Sequence, residues 1–332
     1  MIRFGLIGTN WITEAFIDAA REVEGFQLAA VYSRSEETGR AFAEKHGIAA
    51  VFTDVDAMAG SGEIDAVYIA SPNAYHAVHA VACMNRGVHV LCEKPLASNV
   101  QEARRMIEAA RSNGVLLMEA MKSTLLPGFK AIRDNVAKLG TVRRYFASYC
   151  QYSSRYDAYK AGTVLNAFNP VFSNGALMDL GVYGLYPLVA LFGKPEAVKA
   201  TGVMLESGVD GEGSIVLQYP TMDAVVMYSK ITDSSLPSEI QGEGGSIVID
   251  KISEPGKIEL RYRNGEAEDL SQPTNPKTMY YEAAEFIELI RAGRTESSVN
   301  TFENTLKTLE IMDEARKQLG LVYPADLAAA AD

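Results

Sequence analysis

The chain has 332 residues, 48% of them hydrophobic and 22% charged, which is too long for one ordinary core and too apolar for disorder, so two packed domains are expected. The formal net charge of −11 excludes a general nucleic-acid binder, which needs a basic face, but leaves room for an anionic cofactor held by backbone amides and one or two cations. Cys83, Cys92 and Cys150 have neither metal-ligand spacing nor the pattern of a disulfide framework; the first two fall in apolar patterns as buried thiols, and no metal site is expected.

In chain order, residues 2–7 form a short apolar strand broken by Gly8. This does not read as a secretory signal, and no uninterrupted apolar run is long enough to span a bilayer; a cytoplasmic protein with no membrane partner is expected. Further strands are predicted at 27–33, 66–70, 89–92 and 116–119, with helical patterns between them. Ser98-Asn99-Val100-Gln101 reads as a capping box. After it, Val100, Ala103, Met106, Ile107 and Ala110 follow the helical period, and Gly114 stands where a left-handed C-cap belongs, as do Gly47 and Gly87. Such alternation predicts an α/β domain with a parallel sheet covered by helices on both faces.

Beyond residue 121 the pattern changes. A helix over 128–139 ends at Gly140, and strand-like runs follow at 143–152, 197–206, 214–219, 224–231, 246–250 and 258–262. The turns between them carry Gly208, Gly211, Gly213, Pro220, Gly244-Gly245 and Asn264-Gly265, the chemistry of an antiparallel sheet. One helical block, 175–192, interrupts the strands. Helices at 279–291 and 301–319 close the chain, and the tail 328–331 is expected to fray. The predicted domains are 1–122 and 123–332, with the C-terminal helices packing back toward the first.

Four stretches carry candidate chemistry. The first strand-to-helix turn holds Gly8, Thr9, Asn10, Trp11 and Ile12, where a dinucleotide fingerprint would show glycines at 8, 10 and 13. Only Gly8 is present. Asn10 suits a left-handed backbone better than other non-glycine residues, with its side chain near the pyrophosphate. Alone, the turn fits a phosphate site and an ordinary strand–helix turn equally; its place at the first βα turn favours the former. The second strand ends Tyr32-Ser33-Arg34-Ser35 with no acid for a ribose 2′-hydroxyl. Ser33 and Arg34 instead suit the 2′-phosphate of NADP, with NAD as the alternative and a solvated Arg beside a Ser35 N-cap as the bland reading.

Ser71-Pro72-Asn73 with His76, and Glu93-Lys94-Pro95, follow apolar strands at the carboxyl edge of the sheet, where open α/β folds bind ligands. The bland readings are a surface ion pair for Lys94 and a capped helix-start residue for His76. In the last stretch, 174–183, Asp179 and Tyr183 stand four residues apart on one helical face. They form either a polar pair aimed into a cleft or a core Tyr hydrogen-bonded to Asp.

The Gly5–Ile12 turn, Ser71-Pro72-Asn73…His76, Glu93-Lys94-Pro95, Asp179-Leu180-Gly181-Val182-Tyr183 and Gly242-Glu243-Gly244-Gly245-Ser246 together resemble the glucose–fructose oxidoreductase and inositol dehydrogenase (Gfo/Idh/MocA) family over nearly the whole chain. Tyr183, where many members carry His, is similar to the dihydrodiol and sugar dehydrogenase branch. The loop Met121-Lys122-Ser123-Thr124 departs from that branch, which carries Trp and Arg there.

The resemblance implies a Rossmann domain, a largely antiparallel open-sheet domain with the site between them, and a dimer or tetramer formed on the sheet's far face. It also implies that Lys94, Asp179 and Tyr183 line the substrate pocket. The expected reaction is hydride transfer between a nicotinamide and a hydroxyl-bearing carbon of a sugar, polyol or cyclic diol. Tyr183 is the expected acid/base, Lys94 its electrostatic helper and Asp179 the orienting group; the reverse assignment of Tyr183 and Lys94 stays open. Tyr156 and Asn166 are candidate substrate contacts, and Gly8–Ile12, Ser33, Arg34, Ser71–Asn73, His76 and Glu93 candidate cofactor contacts. Two rivals remain: a dinucleotide-bound sensor or repressor, and an enzyme using the nicotinamide transiently in net hydrolysis or elimination.

Overall fold

The computed structural model describes residues 1–329. It runs through β1 (Ile2–Ile7), α1 (Trp11–Ala20), β2 (Phe26–Tyr32), α2 (Glu36–His46), β3 (Ala50–Phe52), α3 (Val55–Gly60), β4 (Ala66–Ile69), α4 (His76–Met84), β5 (His89–Glu93), α5 (Val100–Asn113) and β6 (Leu117–Ala120). There follow α6 (Pro127–Asn135), β7 (Val142–Cys150), α7 (Tyr156–Lys160), a π-helical turn (Leu177–Gly181) continuing directly as α8 (Val182–Phe192), β8 (Ala197–Met204), β9 (Asp210–Gln218) and β10 (Asp223–Ser229). The chain closes with β11 (Ser238–Gly242), β12 (Gly245–Ile249), β13 (Ile258–Tyr262), β14 (Ala267–Asp269), α9 (Tyr280–Arg291), α10 (Phe302–Leu319) and α11 (Pro324–Ala329). Of the tail expected to fray, residues 330 and 331 lie outside the described residues.

The chain forms two compact units. The first comprises Met1–Lys122 and Asn275–Phe302; the second comprises Ser123–Thr274 and the chain from Glu303 on. The division differs from the expected 1–122 and 123–332, because the segment around α9 belongs to the first unit. The reason is apolar: Phe286 of α9 lies 5.9 Å from Phe4 of β1, within a cluster that includes Phe16 and Phe26.

The first unit is a six-stranded sheet in the order β3-β2-β1-β4-β5-β6, parallel throughout. Its central strands β1, β4 and β5 are buried on both faces, which explains their continuous rather than alternating apolar character. The strand order reverses beside β1, so β1 and β4 end at a switch point where such sheets receive ligands. The capping box stands one residue later than expected. Asn99 accepts from the Glu102 amide at 3.0 Å, and Glu102 reaches back to the Ser98 amide at 3.0 Å. Asn therefore outcompetes Ser as the first cap, with the same reciprocal logic.

The second unit is an eight-stranded sheet, β14-β13-β12-β11-β7-β10-β9-β8, antiparallel except where β10 runs parallel to β7. α8 lies on one face. A side chain at Gly184 would come within 2.6 Å of Val226, so only glycine allows this approach; Tyr145 then donates to the Gly184 carbonyl at 2.9 Å. The stretch Pro170–Phe192 is long and apolar enough to cross a membrane by length and composition, against the expectation of no such run, but 78% of its most apolar window is buried inside the protein. It is the core helix of the sheet. On the sheet's other face, Phe146, Val225, Met227 and Val248 are only half-buried and Val216 is exposed.

Candidate active site

In the first unit the candidate residues gather at the carboxyl ends of β1, β2, β4 and β5. Gly8 closes β1 with a φ of +114°, and a Cβ there would lie 2.7 Å from the Ala70 carbonyl oxygen, so β1 and β4 cross here only as glycine permits. Asn10 is extended rather than left-handed, with a φ of −98°, which corrects the sequence expectation. Its Oδ1 accepts from the amides of Ile12 at 3.1 Å and Thr13 at 3.2 Å, while its Nδ2 donates to the Ala70 carbonyl at 2.8 Å. Asn10 thus caps α1 and ties β1 to β4. Thr13 replaces the third glycine by being fully buried, and Trp11, 66% exposed, stands at the mouth of the turn. A glycine crossing at a helix start, with an exposed cation at the end of the neighbouring strand, fits a dinucleotide.

That cation is Arg34. Ser33 is buried, its Oγ accepting from the Ser35 amide at 3.4 Å, whereas Arg34 is exposed. Across from it, His79 on α4 packs against the rings of Tyr32 and Tyr75, and its Nδ1 lies 3.1 Å from Ser71 Oγ. Burial first, and the Arg34 charge second, depress the basicity of His79, so Arg34 lies within electrostatic reach of the Ser71 loop. Sequence reading missed His79; its signal is the i, i+3 and i+4 spacing to His76 and Tyr75.

His76 does not face solvent. Its ring is buried, with Nδ1 3.1 Å from the Pro95 carbonyl and Nε2 2.9 Å from that of Ser71, and burial lowers its pKa to about 4. It is a neutral brace linking the loops after β4 and β5, in place of the expected cofactor contact.

Lys94 is positioned by carboxylates that its own backbone finds. Glu93 Oε2 accepts from the Lys94 amide at 3.3 Å, and Oε1 accepts from the Tyr68 hydroxyl at 2.6 Å. Glu119 accepts from the Leu96 amide at 3.0 Å. The turn carrying Lys94 and the cis Lys94–Pro95 peptide is therefore pinned on both sides, while Lys94 itself stays partly accessible. Burial raises the proton affinity of Glu93, opposed by the nearby Lys94 and Lys122 charges. Glu93 is an internal acceptor for the loop. A cleft of about 730 Å³ opens at the opposite, amino edge of this sheet beside Asp65, Arg86 and His89, and none of the candidate residues lines it.

In the second unit the candidate pair sits where the π-helical turn passes into α8. The block is held at its start by Asp210, a residue sequence reading did not single out. Its buried carboxylate accepts from the amides of Ala176 at 3.0 Å and Leu177 at 2.7 Å. Gly175, with a φ of +140°, is required because a Cβ would lie 2.0 Å from Asp210 Oδ1. Burial outweighs these donors and the Lys230 charge, and raises the Asp210 pKa to about 6.

Asp179 accepts from Lys230 Nζ at 2.7 Å, and Lys230 is 3% exposed, with its ammonium 5.4 Å above the Phe168 ring. Lys230 follows β10 (Asp223–Ser229) directly, and, like Asp210, it has no local signal in the sequence. The ring of Tyr183 is almost fully buried and packs edge-on against Tyr149, centroids 5.6 Å apart. Tyr156 belongs to a ring cluster with Tyr152, Tyr159 and Phe168, and Asn166 is exposed, its carbonyl accepting from Asn174 at 2.7 Å.

Residues 2–121 match the model of an oxidoreductase family with an NAD-binding Rossmann fold, and residues 129–248 match the GFO/IDH/MocA C-terminal domain. The scyllo-inositol 2-dehydrogenase (NADP(+)) IolU of Bacillus subtilis is 58% identical over 99% of this chain and 100% of its own. The trans-1,2-dihydrobenzene-1,2-diol dehydrogenase of Mus musculus is 30% identical over 98% and 99%. Among solved structures, the aldose-aldose oxidoreductase of Caulobacter crescentus superimposes with a TM-score of 0.84 at 22% identity, over 96% of this chain and 97% of that one. The chain is an oxidoreductase of the GFO/IDH/MocA family.

Proposed function

We propose that the chain oxidises a ring hydroxyl of a cyclic polyol of the inositol type with NADP⁺, or reduces the corresponding ketone with NADPH, as a cytoplasmic enzyme. The observation that carries this reading is the full-length 58% identity to an NADP⁺-dependent scyllo-inositol 2-dehydrogenase. Exposed Arg34 at the end of β2 supports the choice of NADP, since guanidinium donors match phosphate oxygens. The bound nicotinamide supplies the hydride acceptor.

The protein's own residues would do the rest. Gly8 through Ile12 receive the pyrophosphate at the start of α1, and Ser71, Pro72 and Asn73 border the cofactor, braced from behind by His76. Tyr183 takes the hydroxyl proton of the substrate. A phenol with a reference pKa of about 10 needs a nearby cation to do so at neutral pH, and Lys94 is that cation. Asp179, paired with Lys230, accepts from a substrate hydroxyl and orients it. The half-buried face of the second sheet carries Phe146, Val225 and Met227, and exposed apolar surface of this kind marks an interface; a homodimer or homotetramer is the assembly it suits.

A screen of inositols, aldoses and cyclic diols with both cofactors, followed at the reduced-nicotinamide absorbance, tests the reading. Turnover of an inositol with NADP⁺ preferred over NAD⁺ is expected. Turnover confined to acyclic or aromatic alcohols, or equal use of the two cofactors, would overturn the corresponding part.

A further inference from the structure

One buried acid of the first unit has no task in the arrangement above. Glu282, in the first turn of α9, is fully buried, and neither of its carboxyl oxygens has a hydrogen-bond partner. The titratable and charged groups facing it among the described residues are Tyr68 of β4, Glu93 of β5 and Lys122 just after β6. Phe16 of α1 stacks flat on the Tyr68 ring, 3.9 Å away, and closes the chamber from that side with an apolar surface.

The two acids are not equivalent. Glu93 accepts from the Tyr68 hydroxyl and the Lys94 amide and feels the charges of Lys94 and Lys122. Lys122 spends a proton of its ammonium on Thr278 Oγ1, 3.2 Å away, which holds it near α9. A carboxylate in a dry interior without donors is far less stable than the neutral acid, and two carboxyls in one chamber do not both ionise. The proton therefore resides on the acid without donors, Glu282, and the charge on the acid with them, Glu93. Burial and the charge of Glu93 both act in that direction on Glu282.

We propose that Glu282 is a positioning residue, the neutral half of an acid pair with Glu93, so that the pair carries one negative charge rather than two beside the Lys94 turn. The inference deepens the role given to Lys94 above and rests on it. Were Glu282 also ionised, it would compete with Glu93 for the charge of Lys122 and put two negative charges in the pair next to the Lys94 turn. Glu282 thus sets the charge state of Glu93, the carboxylate that Lys94 meets, from a helix that returns to the first unit more than 150 residues later in the chain.

The test is an infrared pH titration of the substrate-free protein, read at the C=O stretch of protonated carboxyls. The parent should show a protonated carboxyl at neutral pH that disappears in Glu282→Gln and in Glu282→Met, the second variant guarding against a folding failure of the first. In Glu93→Gln the same band should titrate at lower pH, because the neighbouring charge is gone. In turnover, Glu282→Gln should keep near-parental kcat at neutral pH while the alkaline limb of its pH profile moves upward, a change that a purely structural residue would not produce. A parent without the band at neutral pH, or a band that survives both Glu282 variants, would overturn the shared proton. Parental kcat in Lys94→Ala would instead overturn the role of Lys94, which the substrate-free spectrum does not depend on.

Discussion

Glu282 in the first unit and Asp179 in the second are both acids set among apolar helical residues, yet they meet opposite surroundings. Glu282 has no donor and faces another carboxylate, so it keeps its proton. Asp179 meets the buried ammonium of Lys230 at 2.7 Å, an opposite charge instead of a like one. Asp210 lies between these extremes, buried with two amide donors and a lysine nearby, and its proton affinity rises to an intermediate level. Burial raises the proton affinity of the two interior acids, and partner supply decides by how much.

The largest effect that can break this comparison is expected at Lys94. Lys94→Ala removes the cation and should lower kcat by about 10²–10⁴-fold, the usual range for acid–base assistance, with NADP⁺ affinity measured by quenching of the lone, exposed Trp11 left near the parental value. Unchanged kcat would leave Tyr183 without its helper. Arg34→Ala should weaken NADP⁺ roughly ten- to a hundredfold, since a charge-assisted contact contributes about 1.5–3 kcal/mol. NAD⁺ affinity should stay put, and equal loss for both cofactors would remove Arg34 from the 2′-phosphate.

Lys230→Met sharpens the contrast between the two acids. Breaking a fully buried pair costs about 3–5 kcal/mol, but the Asp179 side chain is 39% exposed and water can take over part of its solvation. A loss of roughly 1–3 kcal/mol in denaturant unfolding is therefore expected, with a rise in KM for the substrate as Asp179 loses its fixed orientation. An unchanged KM would detach Asp179 from substrate binding.

The smallest effect concerns Asp210. Its folded pKa of about 6 lies above the ordinary 3.8, so between those values the folded state holds a proton that the unfolded state has released. Its contribution to stability is therefore greatest below about 3.8, falls as pH rises to about 6, and is level beyond. Asp210→Asn should remove that slope from the pH dependence of unfolding; an unchanged slope would show that the two amides hold the carboxylate ionised throughout.

Much of the fold is legible in the chain because apolar runs and glycine stops are local signals. Eleven strands follow from them, and Ile258–Tyr262 agrees to the residue. Three strands do not: Ala50–Phe52 and Ala267–Asp269 have three residues each at sheet edges, and Ser-Glu-Ile-Gln-Gly at 238–242 is too polar to read as a strand. Backbone pairing with neighbours defines them, and pairing has no local signature. The turn at Gly8 and the Glu-Lys-Pro element are legible for the same reason that the strands are.

Lys230, Asp210 and Glu282 are not legible. Lys230 reaches Asp179 across 51 positions and Asp210 reaches Leu177 across 33, so their meaning exists only once the sheets have formed. Asn10 shows a subtler failure. Its residue type is compatible with both a left-handed turn and a helix cap, and the amides of Ile12 and Thr13 decide for the cap.

The most direct test of the central claim is the steady-state turnover of Tyr183→Phe at saturating NADP⁺ and substrate, measured alone and together with Lys94→Ala. The ring and its packing against Tyr149 are kept, so fold and cofactor affinity should survive while kcat falls by about 10²–10⁴-fold. The double variant should lose far less than the product of the two single losses, because groups acting as one unit are not additive. Near-parental kcat in Tyr183→Phe would contradict the account and give the proton to Lys94.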